Sequence, residues 1–234
     1  MDDKLNDDEI NEQKEDIIKE VKPRKKGNKD LKIIIVGNSF TGKTSLVNRY
    51  IYNKFAQTYS PTIASQFSYK IVKINDVIYR VQFWDIAGQD KNPETTGVFC
   101  KNTKGIILFC EVRNNQSRED TIKWKESIKR NIDIEKIPII LVENKCDLLG
   151  DENDYNKHFE DLEKFGENNG INKCFRTSAM NGYNVEESIN YLVDSIIGNK
   201  EIIDSKERTD SIKLKKDAHQ NNNGIRAREK SGCC

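Results

Sequence analysis

The chain has 234 residues, of which 35% are hydrophobic and 33% charged, and its formal net charge at pH 7 is +1. This length suits one well-buried domain with polar extensions and is short for two domains. The near-neutral charge argues against a protein that binds nucleic acid through bulk electrostatics, and the chain lacks an apolar run of about eighteen residues that could span a membrane.

The first 29 residues are rich in Asp, Glu, Lys and Asn and are broken by Pro23 and Gly27. Ile10, Ile17 and Val21 could share one helical face, but no other feature predicts a packed unit there. We therefore expect residues 1–29 to form a disordered N-terminal arm. Its acidic start is unlike a secretory signal, and the unpaired spacing of the internal cysteines indicates the reducing cytosol.

Short apolar runs with the length and composition of buried strands begin at residue 31, and they lie at residues 31–36, 105–110, 137–142 and 174–178. Polar stretches of helical period separate them, at residues 118–131, 155–168 and 185–197. Strands that alternate with helix-length segments predict an α/β domain, in which a mostly parallel sheet is covered by helices on both faces.

Asn75 and Asp76 interrupt two further strand-like runs, residues 67–74 and 77–85, and this pattern predicts a β-hairpin. The hairpin adds one antiparallel edge strand, so we expect six strands in total. After Gly198 the chain becomes rich in Lys, Asp and Asn. We therefore predict one domain over residues 30–198 and a flexible tail over residues 199–234.

The strongest motif follows the first predicted strand directly and reads GNSFTGKT over residues 37–44. It matches G-x-x-x-x-G-K-[ST], the P-loop, whose backbone N–H groups surround phosphates at a helix N-terminus. An accidental match has odds of about one in a hundred in a chain of this length. The predicted phosphate-binding residues are Asn38, Ser39, Phe40, Thr41, Gly42, Lys43, Thr44 and Ser45. Lys43 would reach the β- and γ-phosphates, and the Thr44 hydroxyl suits Mg²⁺.

The identity of the nucleotide base is indicated by Asn144, Lys145 and Asp147, which follow the third apolar run as N-K-x-D. The Asp147 carboxylate can accept hydrogen bonds from both N1–H and the 2-amino group of guanine, which adenine does not offer together. A missing partner would leave a buried charge unpaired, so discrimination against adenine should be large. An ATP-dependent P-loop enzyme is therefore disfavoured.

Together these motifs resemble the Ras-like small GTPases, over roughly residues 31–197. The resemblance implies a P-loop GTPase fold, the G domain, and extends to residues 84–89, which resemble switch II. By that match Asp85 holds Mg²⁺ through water, the Gly88 N–H binds the γ-phosphate, and Gln89 orients the attacking water.

Residues 55–63 resemble switch I of the same family. The resemblance makes Thr62 a second hydroxyl ligand of Mg²⁺ and places Phe55 against the guanine ring. Thr177, Ser178 and Ala179 resemble the last base-binding loop, to which we add Met180. Any one of these matches alone has an ordinary structural explanation, but their joint order and spacing fit the family.

Family membership implies a molecular switch that binds GTP or GDP with Mg²⁺ and hydrolyses GTP slowly, with Lys43 and Gln89 as catalytic residues. No motif marks an arginine that would act in cis, so we expect stimulation by a GTPase-activating protein. The resemblance further implies a guanine nucleotide exchange factor and effectors that bind both switches. It implies no nucleic-acid partner, and we expect a monomer.

Cys233 and Cys234 resemble the doubly prenylated terminus of Rab proteins, and residues 105–108 and 184–187 also look Rab-like. This branch implies a GDP-dissociation inhibitor, a prenyltransferase escort, vesicle trafficking, and a lipid anchor on the cytosolic face of an endomembrane or the plasma membrane. The alternative for the pair is two free cysteines on a polar tail.

Several positions depart from the Rab pattern. Phe40 is bulky where the family has a small P-loop residue, residues 90–93 replace the usual Glu-Arg-Phe, and the Tyr-x-Pro-Thr of switch I is closer to Ras. These departures leave two alternatives open: a GTP-binding scaffold with slow or no hydrolysis, and a Ras-type signalling GTPase.

Overall fold

The computed structural model describes residues 29–58, 61–62, 65–88, 93–150 and 152–204. The predicted arm up to residue 28, Gln89, the tail beyond residue 204 and the Cys233–Cys234 pair lie outside the described residues. The strands are β1 (Lys29–Gly37), β2 (Ser65–Ile74), β3 (Val77–Ile86), β4 (Gly105–Glu111), β5 (Ile139–Asn144) and β6 (Lys173–Arg176).

The strands form one sheet in the order β2-β3-β1-β4-β5-β6. Every neighbouring pair is parallel except β2 and β3, which are antiparallel. The prediction of a mostly parallel six-stranded sheet with one antiparallel edge strand is therefore confirmed. Asn75 and Asp76 make the predicted hairpin turn, since both have positive φ angles, 48° and 61°, as a type I′ turn requires.

The helices of the described chain are α1 (Lys43–Tyr52), α2 (Pro93–Cys100), α3 (Asn115–Lys129), α4 (Glu152–Asn168), α5 (Val185–Gly198) and α6 (Lys200–Asp204), with a 3₁₀ turn at Cys146–Leu148. Capping residues determine where several of these helices begin or end. The Asn114 side chain accepts a hydrogen bond from Ser117 N and caps α3. Asn53 ends α1 in the left-handed conformation and donates its N–H to Arg49 O.

Alternate residues of β1 face opposite sides of the sheet and belong to two separate cores. Ile33 and Ile35 pack in one core with Leu46 of α1 and Ile189 of α5. Ile34 and Val36 pack in the other, which also contains Cys100, Trp124 and Leu162 from α2, α3 and α4. Helices therefore cover both faces, and the strand ends that carry the predicted motifs are left to form loops at one edge of the sheet.

The short helix α6 lies beyond the predicted domain boundary at residue 198. Its Ile202 is buried against the same core as α5, and Glu201 pairs with Lys136 at 2.5 Å. The apolar pair Ile202 and Ile203 is too short to give a periodic signal, so the polar composition after Gly198 concealed this helix. Helix α2 also has no counterpart in the predicted elements.

Candidate functional site

A cavity of about 370 Å³ lies at the carboxyl ends of the parallel strands. It is formed by the P-loop, residues 55–58, residues 61–62, Gly88 and the loops after β5 and β6. Of the predicted site residues, those that line it are Ser39, Phe40, Gly42, Lys43, Thr44, Ser45, Phe55, Thr62, Gly88, Asn144, Lys145, Asp147, Ala179 and Met180. Motifs far apart in sequence thus share one cavity at the place where α/β sheets bind ligands.

Lys43 lies at the floor of the cavity and is 7% exposed. Its Nζ donates to Gly37 O at 2.9 Å and to Asn38 O at 3.0 Å, so its ammonium group is held by the P-loop backbone. Burial lowers the pKa of Lys43, and the nearby Asp85 carboxylate partly opposes that effect. The arrangement fixes a cation where anionic oxygens could replace the two carbonyls.

Asn38 and Thr41 differ from the other predicted P-loop residues, because neither lines the cavity. The Asn38 side chain points to α3. Its Nδ2 donates to Asp120 Oδ2 at 2.7 Å, and its Oδ1 accepts from Trp124 Nε1 at 3.4 Å. Thr41 is buried, and its hydroxyl donates to Asn38 O at 2.9 Å. These two residues can therefore contribute to a phosphate site only through their backbone.

Phe40 occupies the rim of the cavity and is 61% exposed. Its φ of 66° lies in the left-handed region, which costs a bulky residue on the order of 1–3 kcal/mol that the surrounding loop must offset. The P-loop thus keeps a conformation suited to glycine even where the sequence has phenylalanine.

Oxygen atoms suited to a divalent cation meet beside Lys43. Thr44 Oγ1 lies 2.9 Å from Thr62 Oγ1 and donates to Asp85 Oδ2. The other carboxylate oxygen, Asp85 Oδ1, is buried without a hydrogen-bond partner among the described residues. Burial raises the pKa of Asp85, whereas the Thr44 hydrogen bond and Lys43 lower it. Two hydroxyls and a carboxylate with an unused oxygen fit Mg²⁺, which prefers oxygen ligands.

Gly88 packs directly against the P-loop backbone. A Cβ atom at this position would lie 2.7 Å from Gly37 O and closer still to the Asn38–Ser39 peptide. Only glycine allows this approach, which brings the segment after β3 against the P-loop. Gln89, the predicted water-orienting residue, follows it outside the described residues.

Asn144 connects its own loop after β5 to the P-loop and to the loop after β6. Its Nδ2 donates to Thr41 O at 2.9 Å, and its Oδ1 accepts from Thr177 Oγ1 and from Ala179 N, both at 3.1 Å. The Ala179 N–H, which the resemblance assigns to a guanine oxygen, is thus hydrogen-bonded to Asn144 here. Residues 144–147 and 177–180 are from here on called the base loops.

Asp147 and Ser178 join the base loops to each other. Ser178 Oγ donates to Asp147 Oδ1 at 2.5 Å, which holds the carboxylate at the cavity wall. Lys145 has a left-handed φ of 66°, and its Nζ pairs with Glu111 at 2.9 Å. Phe55 and Met180 lie at the rim and are 36% and 50% exposed.

Arg49 is a site residue that the sequence did not reveal. From α1 its Nε donates to Ala179 O at 2.9 Å, and its Nη2 donates to Met180 O. It thereby holds the second base loop against the helix that follows the P-loop. The cavity is also lined by Ala56, Gln57, Thr58 and Pro61 of the segment that resembles switch I, and by Asn48 and Leu148, which belong to no motif. No signal in the sequence separates Arg49 from an ordinary basic residue on a helix.

Residues 32–198 match the Ras family. The chain belongs to this family. It is 30% identical over 207 residues to the Ras-related protein Rab-32 of Sus scrofa, covering 87% of this chain and 88% of the relative. It is 35% identical over 173 residues to Rab-32A of Dictyostelium discoideum, covering 72% and 78%. The human Ras-related protein Rab-7L1 is 28% identical over 172 residues, covering 72% and 83%.

These relatives confirm the prediction that the chain is a divergent small GTPase of the Rab type. The Ras-like G domain is confirmed together with its α/β sheet. Among the described residues, no helix is long and apolar enough to cross a membrane.

Proposed function

We propose that this Rab-type GTPase binds GTP and GDP with Mg²⁺, hydrolyses GTP slowly, and controls vesicle trafficking from the cytosolic face of a membrane. The observation that carries the proposal is the hydrogen bond between Asn144 Nδ2 and Thr41 O at 2.9 Å. It joins the loop that would recognise a base to the loop that would hold phosphates. One nucleotide could therefore contact both at once.

The phosphate half of the site would act through the P-loop. Its backbone N–H groups and the N-terminus of α1 favour phosphate oxygens. Lys43 would exchange its carbonyl partners Gly37 O and Asn38 O for β- and γ-phosphate oxygens, and the Gly88 N–H would contact the γ-phosphate. Both contacts neutralise charge that develops as the γ-phosphoryl group leaves.

Thr44, Thr62 and Asp85 would hold the metal, Asp85 through water. Bound Mg²⁺ supplies charge neutralisation at the β- and γ-phosphate oxygens. Thr62 belongs to the switch I segment and Gly88 to switch II, so both segments would be held in place only while a γ-phosphate is present. Release after hydrolysis is the output of such a switch.

Hydrolysis would proceed by in-line attack of water on the γ-phosphate, with Gln89 orienting that water. Since no cis arginine is evident, a GTPase-activating protein would supply one, and related enzymes gain roughly 10³–10⁵-fold from it. An exchange factor would reopen the site, and a GDP-dissociation inhibitor and a prenyltransferase escort would handle a lipid-bearing tail at Cys233 and Cys234.

An aromatic surface next to the switches supports effector binding. Phe67 contacts Trp84 with ring centroids 5.2 Å apart, and Trp84 contacts Phe99 at 6.1 Å. Phe67 is 48% exposed, so the cluster offers apolar area beside residues that would respond to the nucleotide. This surface would bind partners in the GTP-bound state.

A GTP-binding scaffold without meaningful hydrolysis is the second candidate, and exposed Phe40 favours it because its side chain stands at the rim of the phosphate site. Titration of the full chain with fluorescent GDP and ADP, with and without EDTA, tests binding. Tight Mg²⁺-dependent GDP binding without ADP binding supports the proposal, and equal affinities would overturn it. Single-turnover hydrolysis with an activating protein then separates switch from scaffold.

A further inference from the structure

A charged pair is buried in the interior immediately before the base loops. Arg176 Nε donates to Glu143 Oε2 at 2.8 Å, and the two side chains are 1% and 5% exposed. Glu143 precedes Asn144 at the end of β5, and Arg176 precedes Thr177 at the end of β6. Neither residue lines the cavity, so the binding site described above makes no direct use of them.

The pair spans two neighbouring strands at matched register. Glu143 and Arg176 are partners in the parallel ladder of β5 and β6, and the Thr177 N–H donates to Glu143 O at 3.0 Å. Cys146 N donates to Thr177 O at 3.1 Å one step further along. Side chains and backbone therefore fix the same relative position of the two strands where the base loops begin.

Stability alone is a weak explanation for this pair. Removing two charges from water carries a penalty that often exceeds their mutual attraction, and apolar residues of similar volume are then equally stable. Arg118 adds a further charge, since its Nη1 lies 4.0 Å from Glu143 Oε1 and its Nε has no hydrogen-bond partner among the described residues. A charged hydrogen bond nevertheless has a narrower geometry than apolar packing, which tolerates sliding.

We propose that Glu143 and Arg176 are positioning residues that set the spacing between the two base loops and thereby the preference of the site for guanine. The proposal rests on the guanine nucleotide binding proposed above. Asp147 is held by Ser178 across the loops at 2.5 Å. A shift of β6 along β5 would move Ser178 and Ala179 away from Asp147 and Asn144. The Asp147 carboxylate would then form a weaker hydrogen bond with the guanine 2-amino group.

The test compares GDP with IDP, because hypoxanthine keeps N1–H but lacks the 2-amino group. Affinities of both nucleotides and the GDP dissociation rate are measured for the parent, for Arg176→Met and for Arg176→Lys. In Arg176→Met we expect the GDP-to-IDP affinity ratio to fall on the order of tenfold and GDP release to accelerate by a similar factor. Arg176→Lys keeps the charge and should lie between the parent and Arg176→Met.

A double variant distinguishes loss of positioning from loss of the folded structure. Glu143→Met with Arg176→Met removes both members of the buried hydrogen bond and leaves no unpaired carboxylate. It should therefore unfold at a higher temperature than Arg176→Met, yet it should show the same reduced ratio. Ile139→Val is the matched control, because Ile139 is buried at the opposite end of β5. It removes one methyl group from the same strand and should leave the ratio unchanged.

The outcomes separate the two proposals. A parent that does not prefer GDP over IDP overturns the proposed base recognition itself. If the parent prefers GDP and the folded double variant keeps the parent ratio, the positioning role is wrong. A ratio that falls equally in Ile139→Val would also overturn it, since general weakening of β5 would then explain the loss.

Discussion

Thr44 Oγ1 lies 2.9 Å from Thr62 Oγ1, although 18 positions of the chain separate the two residues. Thr44 Oγ1 also donates to Asp85 Oδ2, and the second oxygen of that carboxylate is buried without a hydrogen-bond partner among the described residues. The contact between Thr44 and Thr62 joins the P-loop to the segment that resembles switch I, and Thr44 is therefore the residue at which the proposed metal site is tested most directly.

Thr44→Asn should shift the balance of affinities from GTP toward GDP, on the order of tenfold. The variant loses one hydroxyl ligand, and GTP depends more on Mg²⁺ than GDP does. The ratio is measured by competition titration at millimolar Mg²⁺. Thr44→Ser keeps the hydroxyl and serves as the control. An unchanged ratio in Thr44→Asn would remove Thr44 from the metal site.

Asp147→Asn should weaken GTP binding roughly 10–100-fold and admit xanthine nucleotides. An amide presents a donor where the guanine 2-amino group needs an acceptor, whereas xanthine offers a carbonyl there. Affinities for GTP and XTP are measured by titration. Asp194→Asn, an exposed change on α5, is the matched control. Equal GTP affinity in variant and parent would show that Asp147 does not recognise the base.

Gln89→Leu should bind GTP normally and hydrolyse it roughly 10–100-fold more slowly, because leucine cannot orient the attacking water. Single-turnover release of phosphate without an activating protein is the measurement. Gln66→Leu, an exposed change on β2, controls for the loss of an amide elsewhere. A parental intrinsic rate in Gln89→Leu would exclude Gln89 from the mechanism.

Replacing Cys233 and Cys234 with serine should release the protein from membranes while GTP binding is unchanged. Residues 199–232 carry nine Lys or Arg and six Asp or Glu, a net charge of +3. Charge of this size contributes at most about 1 kcal/mol per basic residue at an anionic leaflet, whereas buried prenyl chains contribute roughly 0.8 kcal/mol per methylene.

Fractionation of cells that express the double serine variant is the measurement for this prediction. Ser231→Ala is the control, and single serine variants should be partly released. If the double variant sediments with membranes as the parent does, a protein receptor or the N-terminal arm directs it there.

Much of the fold was predictable because its signals are local. The apolar run after residue 30, the P-loop spacing and the Asn75–Asp76 turn each depend on neighbouring residues. The mostly parallel sheet with one antiparallel edge strand follows from such elements and from the general rules for parallel sheets, whereas its strand order was not predicted. The position of N-K-x-D after a strand placed Asn144 and Asp147 at the same edge as the P-loop.

The parts that escaped prediction depend on contacts between distant residues. The Asn38 side chain turns away from the cavity because Asp120, 82 positions later, accepts its amide hydrogen bond. Arg176 is charged, which predicts exposure, yet Glu143 from the neighbouring strand allows its burial. Arg49 contributes to the site only because Ala179 lies beside it in space.

The hydrogen bond between Trp124 Nε1 and Asn38 Oδ1 also makes tryptophan fluorescence a probe of the P-loop. The chain has two tryptophans, and the other, Trp84, directly precedes Asp85 in β3. The Trp124 indole therefore reports on the P-loop, whereas the Trp84 indole reports on the aromatic surface that it forms with Phe67 and Phe99. The tryptophan fluorescence of the unlabelled protein should change when nucleotide is exchanged. Replacing either tryptophan with Phe would leave one fluorophore, which reports on its own surroundings alone.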